Sequence, residues 1–273
     1  MPAVLLGVFG SLIGSFLNVV IFRVPAGRSV VSPPSACGSC GASIRAYDNI
    51  PIISWLVLRG RCRDCGAGIS ARYPVVELAT GLAFAGITVW ALERWGTPFA
   101  LDARAVGSLL VTAAFLYLGA ISIALALIDL DTHRLPNRIV LPGYVVGIVL
   151  LGAAALVLGD LGPLARAVIG MGAMFILYLA LALVRPGAMG FGDVKLAGLL
   201  GLYLGFLGWE EFLVGAFAAF VLGGVFAVVL LLMRRATRTG GIPFGPWMLA
   251  GAWVGAVAGP VIGGSYLSLA GLG

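Results

Sequence analysis

Charge is the scarcest property of this chain. Of its 273 residues 10% are charged and 61% are apolar, whereas an ordinary soluble domain carries about 25% charged residues. A soluble globular fold is therefore excluded, and the composition is that of an all-α polytopic membrane protein. Histidine and lysine occur once each, as His133 and Lys195. With no Gly-x-Ser-x-Gly elbow and no His-Glu-x-x-His pattern, neither an α/β-hydrolase triad nor a zinc metallopeptidase has its residues. His133 lies in the polar run Thr132-His133-Arg134, a place for a solvated imidazole rather than a triad base, and a Ser/Lys dyad would have to draw on Lys195. Also missing are low-complexity tracts, any evident internal repeat, and a strand leading into the glycine-rich turn that often holds nucleotide-bearing ligands.

What remains is apolar runs. Windows of about 20 apolar residues predict eight spans, near 3–22, 75–92, 107–128, 139–159, 164–184, 194–209, 212–233 and 244–268. The first is too long for a signal-peptide core, has no basic residue before it and lacks a small-residue cleavage site after it, so it reads as a retained span. If it enters from outside, one side of the membrane receives Arg23, Arg28, Arg45, Arg59, Arg61, Arg63, Arg72, Arg134, Arg138, Arg185, Lys195, Arg234, Arg235 and Arg238, and the other only Arg94, Arg104 and Arg166. The positive-inside bias makes the first side cytosolic. The net charge of +6 is then a topological signal and not a nucleic-acid footprint. The predicted organisation is a first transmembrane helix over 1–22, a cytosolic insert over 23–74 and a membrane-embedded domain over 75–273. Glycines at helical spacing, Gly198, Gly201 and Gly205 and again Gly251, Gly255 and Gly259, predict close helix packing through small-residue faces.

All four cysteines fall in the insert, as Cys37-Gly-Ser-Cys40 and Cys62-Arg-Asp-Cys65. Two such turns match a tetrahedral four-thiolate zinc site. Two disulfides are disfavoured on a reducing cytosolic face, and a redox dithiol would need only one pair. Four sulfur ligands leave no position open for water, so such a zinc would be structural, holding together about 50 residues that cannot build much of a core.

Only eleven residues are acidic. Asp48, Asp64, Glu77, Glu93, Asp102, Asp160, Glu210 and Glu211 fall in loops or at span ends, where solvation explains them. Asp129, Asp131 and Asp193 are different. A carboxylate at the centre of a spanning helix costs roughly 2.5–3.5 kcal/mol, less toward the boundary, so one kept there has a use. Asp129 closes a helix running toward the cytosol, where the negative end of the helix dipole disfavours an acid. Asp193 has an alternative role as N-cap of the next span. That span is short, however, which draws its start below the membrane surface, and Gly190 and Gly192 ahead of it permit unusual backbone shapes and close approach of a second chain. Two spans separate Asp129 from Asp193, so both reach the same face. Carboxylates brought together cannot both carry charge cheaply and share a proton, which is the arrangement of an aspartic peptidase. A transporter or ion-binding bundle would instead place its acids in mid-span, and a zinc-bearing scaffold would tolerate Asp193→Asn.

In order along the chain stand Gly14-Ser15-Phe16-Leu17-Asn18-Val19-Val20-Ile21, Pro33-Pro34-Ser35, Asp48-Asn49-Ile50-Pro51, Ser54-Trp55-Leu56, Arg59-Gly60-Arg61-Cys62, Arg72-Tyr73-Pro74 and Glu77-Leu78. They are followed by Asp129-Leu130-Asp131, Leu135-Pro136-Asn137, Gly190-Phe191-Gly192-Asp193-Val194-Lys195 and Ile242-Pro243-Phe244-Gly245-Pro246. Taken together these resemble the type IV prepilin peptidases. The resemblance implies a bifunctional, multi-pass enzyme of the bacterial inner membrane. It would remove the basic leader of prepilins and of pilin-like type II secretion precursors at a Gly-Phe type bond on the cytosolic side, then N-methylate the new terminus from S-adenosylmethionine. It implies Asp129 and Asp193 as the catalytic pair, with Asp131, Gly190, Gly192 and Lys195 in support; Asp131 is often basic in the shorter archaeal relatives. It gives no residues for the methyl donor. Cys37-Gly-Ser-Cys40 lacks the proline that often follows the first cysteine in the family, which touches the shape of that turn only.

Overall fold

The computed structural model describes residues 1–96, 102–184, 189–233 and 243–271. Arg185, Arg234, Arg235, Arg238 and Ile242 of the patterns above lie outside them. The described residues form α1 (Pro2–Arg23), a short 3-10 turn (Ala46–Asp48), α2 (Ile53–Val57), α3 (Arg72–Trp95), α4 (Ala103–Thr132), α5 (Asn137–Leu158), α6 (Gly162–Val184), α7 (Phe191–Leu207), α8 (Trp209–Leu232) and α9 (Gly245–Leu269). No strand occurs among them, only two isolated bridges in the insert. All eight predicted spans are helices.

Seven of the eight are long and apolar enough to cross a membrane. The exception is α7, whose 17 residues reach about 25 Å at 1.5 Å per residue. From Val194 onward every residue of α7 except Lys195 is buried, the pattern of a helix enclosed by others rather than one facing lipid. Its start also differs from the predicted one at Val194. Gly190 is the N-cap, so Asp193 lies inside the first turn and not at the cap itself. At the other extreme, α4 runs 30 residues because Asp102 caps it, Oδ1 accepting from the Ala105 N–H at 2.8 Å, and because it continues past the apolar window through Asp129.

The chain divides into two compact units. One comprises Met1–Gly96 with Leu116–Ala124, the other Thr97–Phe115 with Leu125–Gly273. In the first, α1 lies against α3 through small residues: a Cβ on Gly10 would come within 2.7 Å of Phe84 Cβ, and one on Gly14 within 2.7 Å of Glu77 Cα. Glu77 is not a solvated span-end acid. It is 8% exposed and its Oε2 accepts from the Ile52 N–H at 2.7 Å. Ile52 holds φ +63°, a costly conformation for a β-branched residue, and the buried carboxylate offsets that cost by satisfying its amide.

In the second unit α7 packs against α6 as the glycine spacing predicts. Gly201 meets the Gly170 backbone, Gly205 meets the Arg166 backbone, and Gly198 meets Tyr144 and Phe175. Gly251, Gly255 and Gly259 of α9 likewise meet Ala219, Gly215 and Glu211 of α8. Glu211 is the second acid that departs from the solvated reading, at 4% exposure.

Candidate active site and metal centre

Asp129 sits in the last turn of α4. His133 then takes a left-handed conformation (φ 51°, ψ 40°) and its N–H closes the helix on the Asp129 carbonyl, while its side chain is exposed. The Asp129 side chain is 5% exposed, and its Oδ2 accepts from the Gly245 N–H at 3.0 Å. Gly245 opens α9 with Pro246 behind it, and proline suits a first turn because the N–H it lacks has no helical partner there. The acid that the end of α4 disfavours is therefore received by the start of α9, where free N–H groups and the positive end of the dipole favour it. Asp131, two residues on and about 200° around the helix, is exposed and lies on a different face.

Asp193 is the third residue of α7. Its Oδ2 accepts from the Gly190 N–H at 3.1 Å, while its own N–H donates to the Gly190 carbonyl at 3.0 Å. The carboxylate supplies the half of a capping box that reaches back to the N-cap amide; the N-cap position expected for Asp193 is taken by Gly190, and the contact engages one carboxylate oxygen.

The two acids belong to one site within the second unit. A Cβ on Gly192 would lie 3.0 Å from Leu135 Cβ, and one on Gly245 would lie 3.2 Å from Leu135 Cδ2 and 2.7 Å from Asp129 Oδ2. One leucine thus touches the glycine beside Asp193 and the glycine bonded to Asp129. The carboxylates are within electrostatic reach of each other.

The expected supporting residues divide. Gly190 has φ −76° and ψ 149°, open to any residue, so it supplies an amide and no special backbone shape. Gly192 is helical and is needed for space against Leu135. Lys195 Nζ donates to Asn137 Oδ1 at 3.0 Å and stands 4.8 Å from the centre of the Phe191 ring. The sequence reading assigned no role to Gly245, Leu135 or Tyr178. Gly245 carried a signal, since Pro243-Phe244-Gly245-Pro246 has the form of a helix start.

The insert builds a separate centre in the first unit. In each Cys-x-x-Cys turn the first cysteine's N–H reaches the carbonyl five residues on: Cys37 to Ala42 at 2.9 Å, Cys62 to Ala67 at 2.8 Å. Gly41 (φ +73°) and Gly66 (φ +72°) follow each pair in the left-handed region, and bridges Ala36–Ser43 and Arg61–Gly68 close both turns alike. Cys-Gly-Ser-Cys-Gly-Ala-Ser-Ile from Cys37 and Cys-Arg-Asp-Cys-Gly-Ala-Gly-Ile from Cys62 are thus a local duplication, where no repeat was expected.

Arg45 and Asp64 (2.9 Å) and Arg63 and Asp48 (2.6 Å) tie one turn to the other. Neither Asp48 nor Asp64 is merely solvated, and the Arg63 hydrogen bonds hold the Asp48 carboxyl below its usual range. Trp55 Nε1 donates to the Ile69 carbonyl at 3.0 Å, pinning the second turn.

The four sulfurs lie within 4.8 Å of one another, with Cys37 and Cys65 Sγ 3.8 Å apart. A tetrahedral ion with sulfurs at about 2.3 Å requires sulfur–sulfur spacings of about 3.8 Å, so the cluster fits zinc and is not disulfide-bonded. The Cys40 and Ser39 amides bring the Cys37 thiol down to about 6. Cys65 goes up to about 12 against the pull of the Ala67 amide, crowded by burial and by Cys40, Cys62 and Cys37. All four could be thiolates together only with a cation among them.

A cavity of about 330 Å³ in the same unit is lined by α1 and the insert, including Phe16, Arg23, Pro34 and Asn49. Its lining has no acid to hold ribose hydroxyls, and it is not assigned to a nucleotide-bearing ligand.

Seven membrane-length helices, a buried Asp129 and a half-buried Asp193 at helix ends, and a four-cysteine insert after the first helix define a polytopic membrane protein with an acid site among its helices. The model of the bacterial peptidase A24 N-terminal domain matches residues 8–91, and that of the type IV leader peptidase family matches 115–228. The chain is 36% identical to a prepilin leader peptidase/N-methyltransferase of Stutzerimonas stutzeri, over 96% of this chain and 93% of that one. It is 35% identical to one of Aeromonas salmonicida, over 95% and 92%, and 33% identical to one of Pseudomonas aeruginosa, over 96% and 92%. No solved structure matches it. The chain belongs to the type IV leader peptidase family.

Proposed function

We propose that this chain is an aspartic endopeptidase of the bacterial inner membrane that removes the basic leader of prepilins and pilin-like precursors. The observation that carries the reading is the pairing of Asp129 and Asp193, each with Oδ2 held by a glycine N–H at a helix start. Of two such acids sharing one proton, the ionised member takes a proton from a water that attacks the scissile carbonyl. The protonated member donates to the oxygen on which charge develops, as in aspartic peptidases. Asp131 has a lesser role.

The scissile bond is a Gly-Phe type bond at the cytosolic boundary. The basic asymmetry supports that side, and a substrate whose leader is cytosolic and whose next segment is a membrane helix presents its bond there. The division into a first helix over 1–22, an insert over 23–74 and a membrane domain over 75–273 belongs to this reading. Cys37, Cys40, Cys62 and Cys65 hold a structural zinc that fixes the fold of the insert and takes no part in hydrolysis.

The names of the relatives support a second activity, N-methylation of the new terminus from S-adenosylmethionine, for which no residue is assigned. Incubating the detergent-solubilised protein with a precursor pilin and S-adenosylmethionine, then reading mass and N-terminus, tests both. Loss of the leader mass followed by a gain of one methyl is expected; an unaltered precursor refutes the peptidase reading.

A further inference from the structure

We infer that Tyr178 is a positioning residue of the aspartate pair, its hydroxyl donating to the Asp193 carboxylate during cleavage; the inference rests on the peptidase reading above. Tyr178, on α6, is fully buried, and its hydroxyl has no hydrogen-bond partner. Native folds rarely leave such a group unsatisfied, and one that persists calls for a reason. The hydroxyl is within electrostatic reach of Asp193, whose Oδ2 is already held by the Gly190 amide. A second donor would stop the carboxylate rotating and fix which lone pairs face Asp129 and the attacking water.

The ring is clamped where that role requires it. Its centroid lies 5.5 Å from that of Phe220 on α8 and 6.3 Å from that of Phe244, and those two rings are 5.6 Å apart. Phe244 immediately precedes Gly245, whose amide holds Asp129. Through Phe244 the aromatic cluster adjoins the glycine that holds Asp129, and the Tyr178 hydroxyl within it is buried. A positioning group needs this kind of locked support.

A purely structural tyrosine makes the opposite demand. If the ring alone mattered, phenylalanine would fill the same space without the buried, unpaired hydroxyl and would serve as well or better.

The test is Tyr178→Phe in the full-length, detergent-solubilised protein. We expect kcat for leader cleavage to fall about ten- to a hundred-fold, the scale of a hydrogen bond to a charged group. KM should stay within about twofold, because the substrate's ground-state contacts are untouched, and the thermal unfolding midpoint should be unchanged or raised. Unchanged kcat, or a fall in kcat matched by a fall in that midpoint, would overturn the inference. Failure of the unaltered protein to cleave in the same assay would instead overturn the peptidase reading.

Discussion

Gly245→Ala separates the aspartate site from the fold that carries it. A Cβ there would lie 2.7 Å from Asp129 Oδ2, 3.2 Å from Leu135 Cδ2 and 3.3 Å from Asp129 Cγ, the first short of ordinary contact by more than about half an ångström. Something must move, and the backbone that starts α9 is less able to than the end of a side chain. The Asp129 carboxylate rotates off the Gly245 amide and loses the 3.0 Å hydrogen bond. A hydrogen bond to a charged group contributes about 1.5–3 kcal/mol, and at about 1.4 kcal/mol per factor of ten in rate the loss in kcat/KM is roughly 10- to 150-fold. Overpacking of this kind costs about 1–3 kcal/mol of stability, so the variant should insert and purify. The assay is steady-state leader cleavage beside a thermal unfolding scan of the same preparation. Cleavage within about twofold of wild type would be a change too small for a lost charged hydrogen bond, and would refute the claim that this amide holds the acid in its working position.

Gly190→Ala should behave differently: its Cβ would meet Asp193 Oδ2 at 3.4 Å, an ordinary contact, and its φ of −76° suits alanine, so cleavage should stay within about threefold of wild type, the change expected where no hydrogen bond is lost. Asp129→Asn and Asp193→Asn should each abolish cleavage with the protein still folded, since asparagine still accepts from the Gly245 or Gly190 N–H but cannot shuttle the proton. Asp131→Asn, at an exposed position, should cost only a small part of the activity, and near-normal cleavage by the Asp193 variant would sink the mechanism. Elemental analysis should find one zinc per chain, and serine at any of the four cysteines should release it and raise proteolysis of the insert before membrane helices are lost. No zinc, or two disulfides in protein kept reduced, would contradict that.

The helices were legible because hydropathy runs record what lipid demands of a span, and the shortness of α7 was legible for the same reason. Its enclosure by other helices was not, since an apolar run reads alike whether lipid or protein covers it. Asp129 could be singled out by its cost at the end of α4, but its compensation could not. The Gly245 amide lies 116 residues away and reaches Asp129 only by tertiary packing. Glu77 and Glu211 were misread for the converse reason. Acids near span ends are usually wet, and nothing local to Glu77 announces that Ile52 will adopt φ +63° and present its amide. Tyr178 hid in plain view: after Arg166 its hydroxyl is the one polar side-chain group of α6, and an aromatic in an apolar run passes for core.

The placement of the two acids answers a problem that any embedded carboxylate pair must meet. Burial opposes ionisation, and so does a second carboxylate nearby, yet the chemistry needs one of the two ionised. Lys195, the nearest cation along the chain to Asp193, is engaged with Asn137. The fold draws on backbone dipoles instead. Asp193 lies in the first turn of α7 and Asp129 against the first turn of α9, so each carboxylate faces the end of a helix where N–H groups lack helical partners. These donors are part of the backbone and cannot swing away. Because a helix start is a fixed partial charge of about half a unit rather than a full cation, it steadies an anion without pinning a proton permanently on or off either acid. A lysine or arginine in the same place would hold its partner ionised throughout and leave the pair unable to exchange roles as the bond breaks.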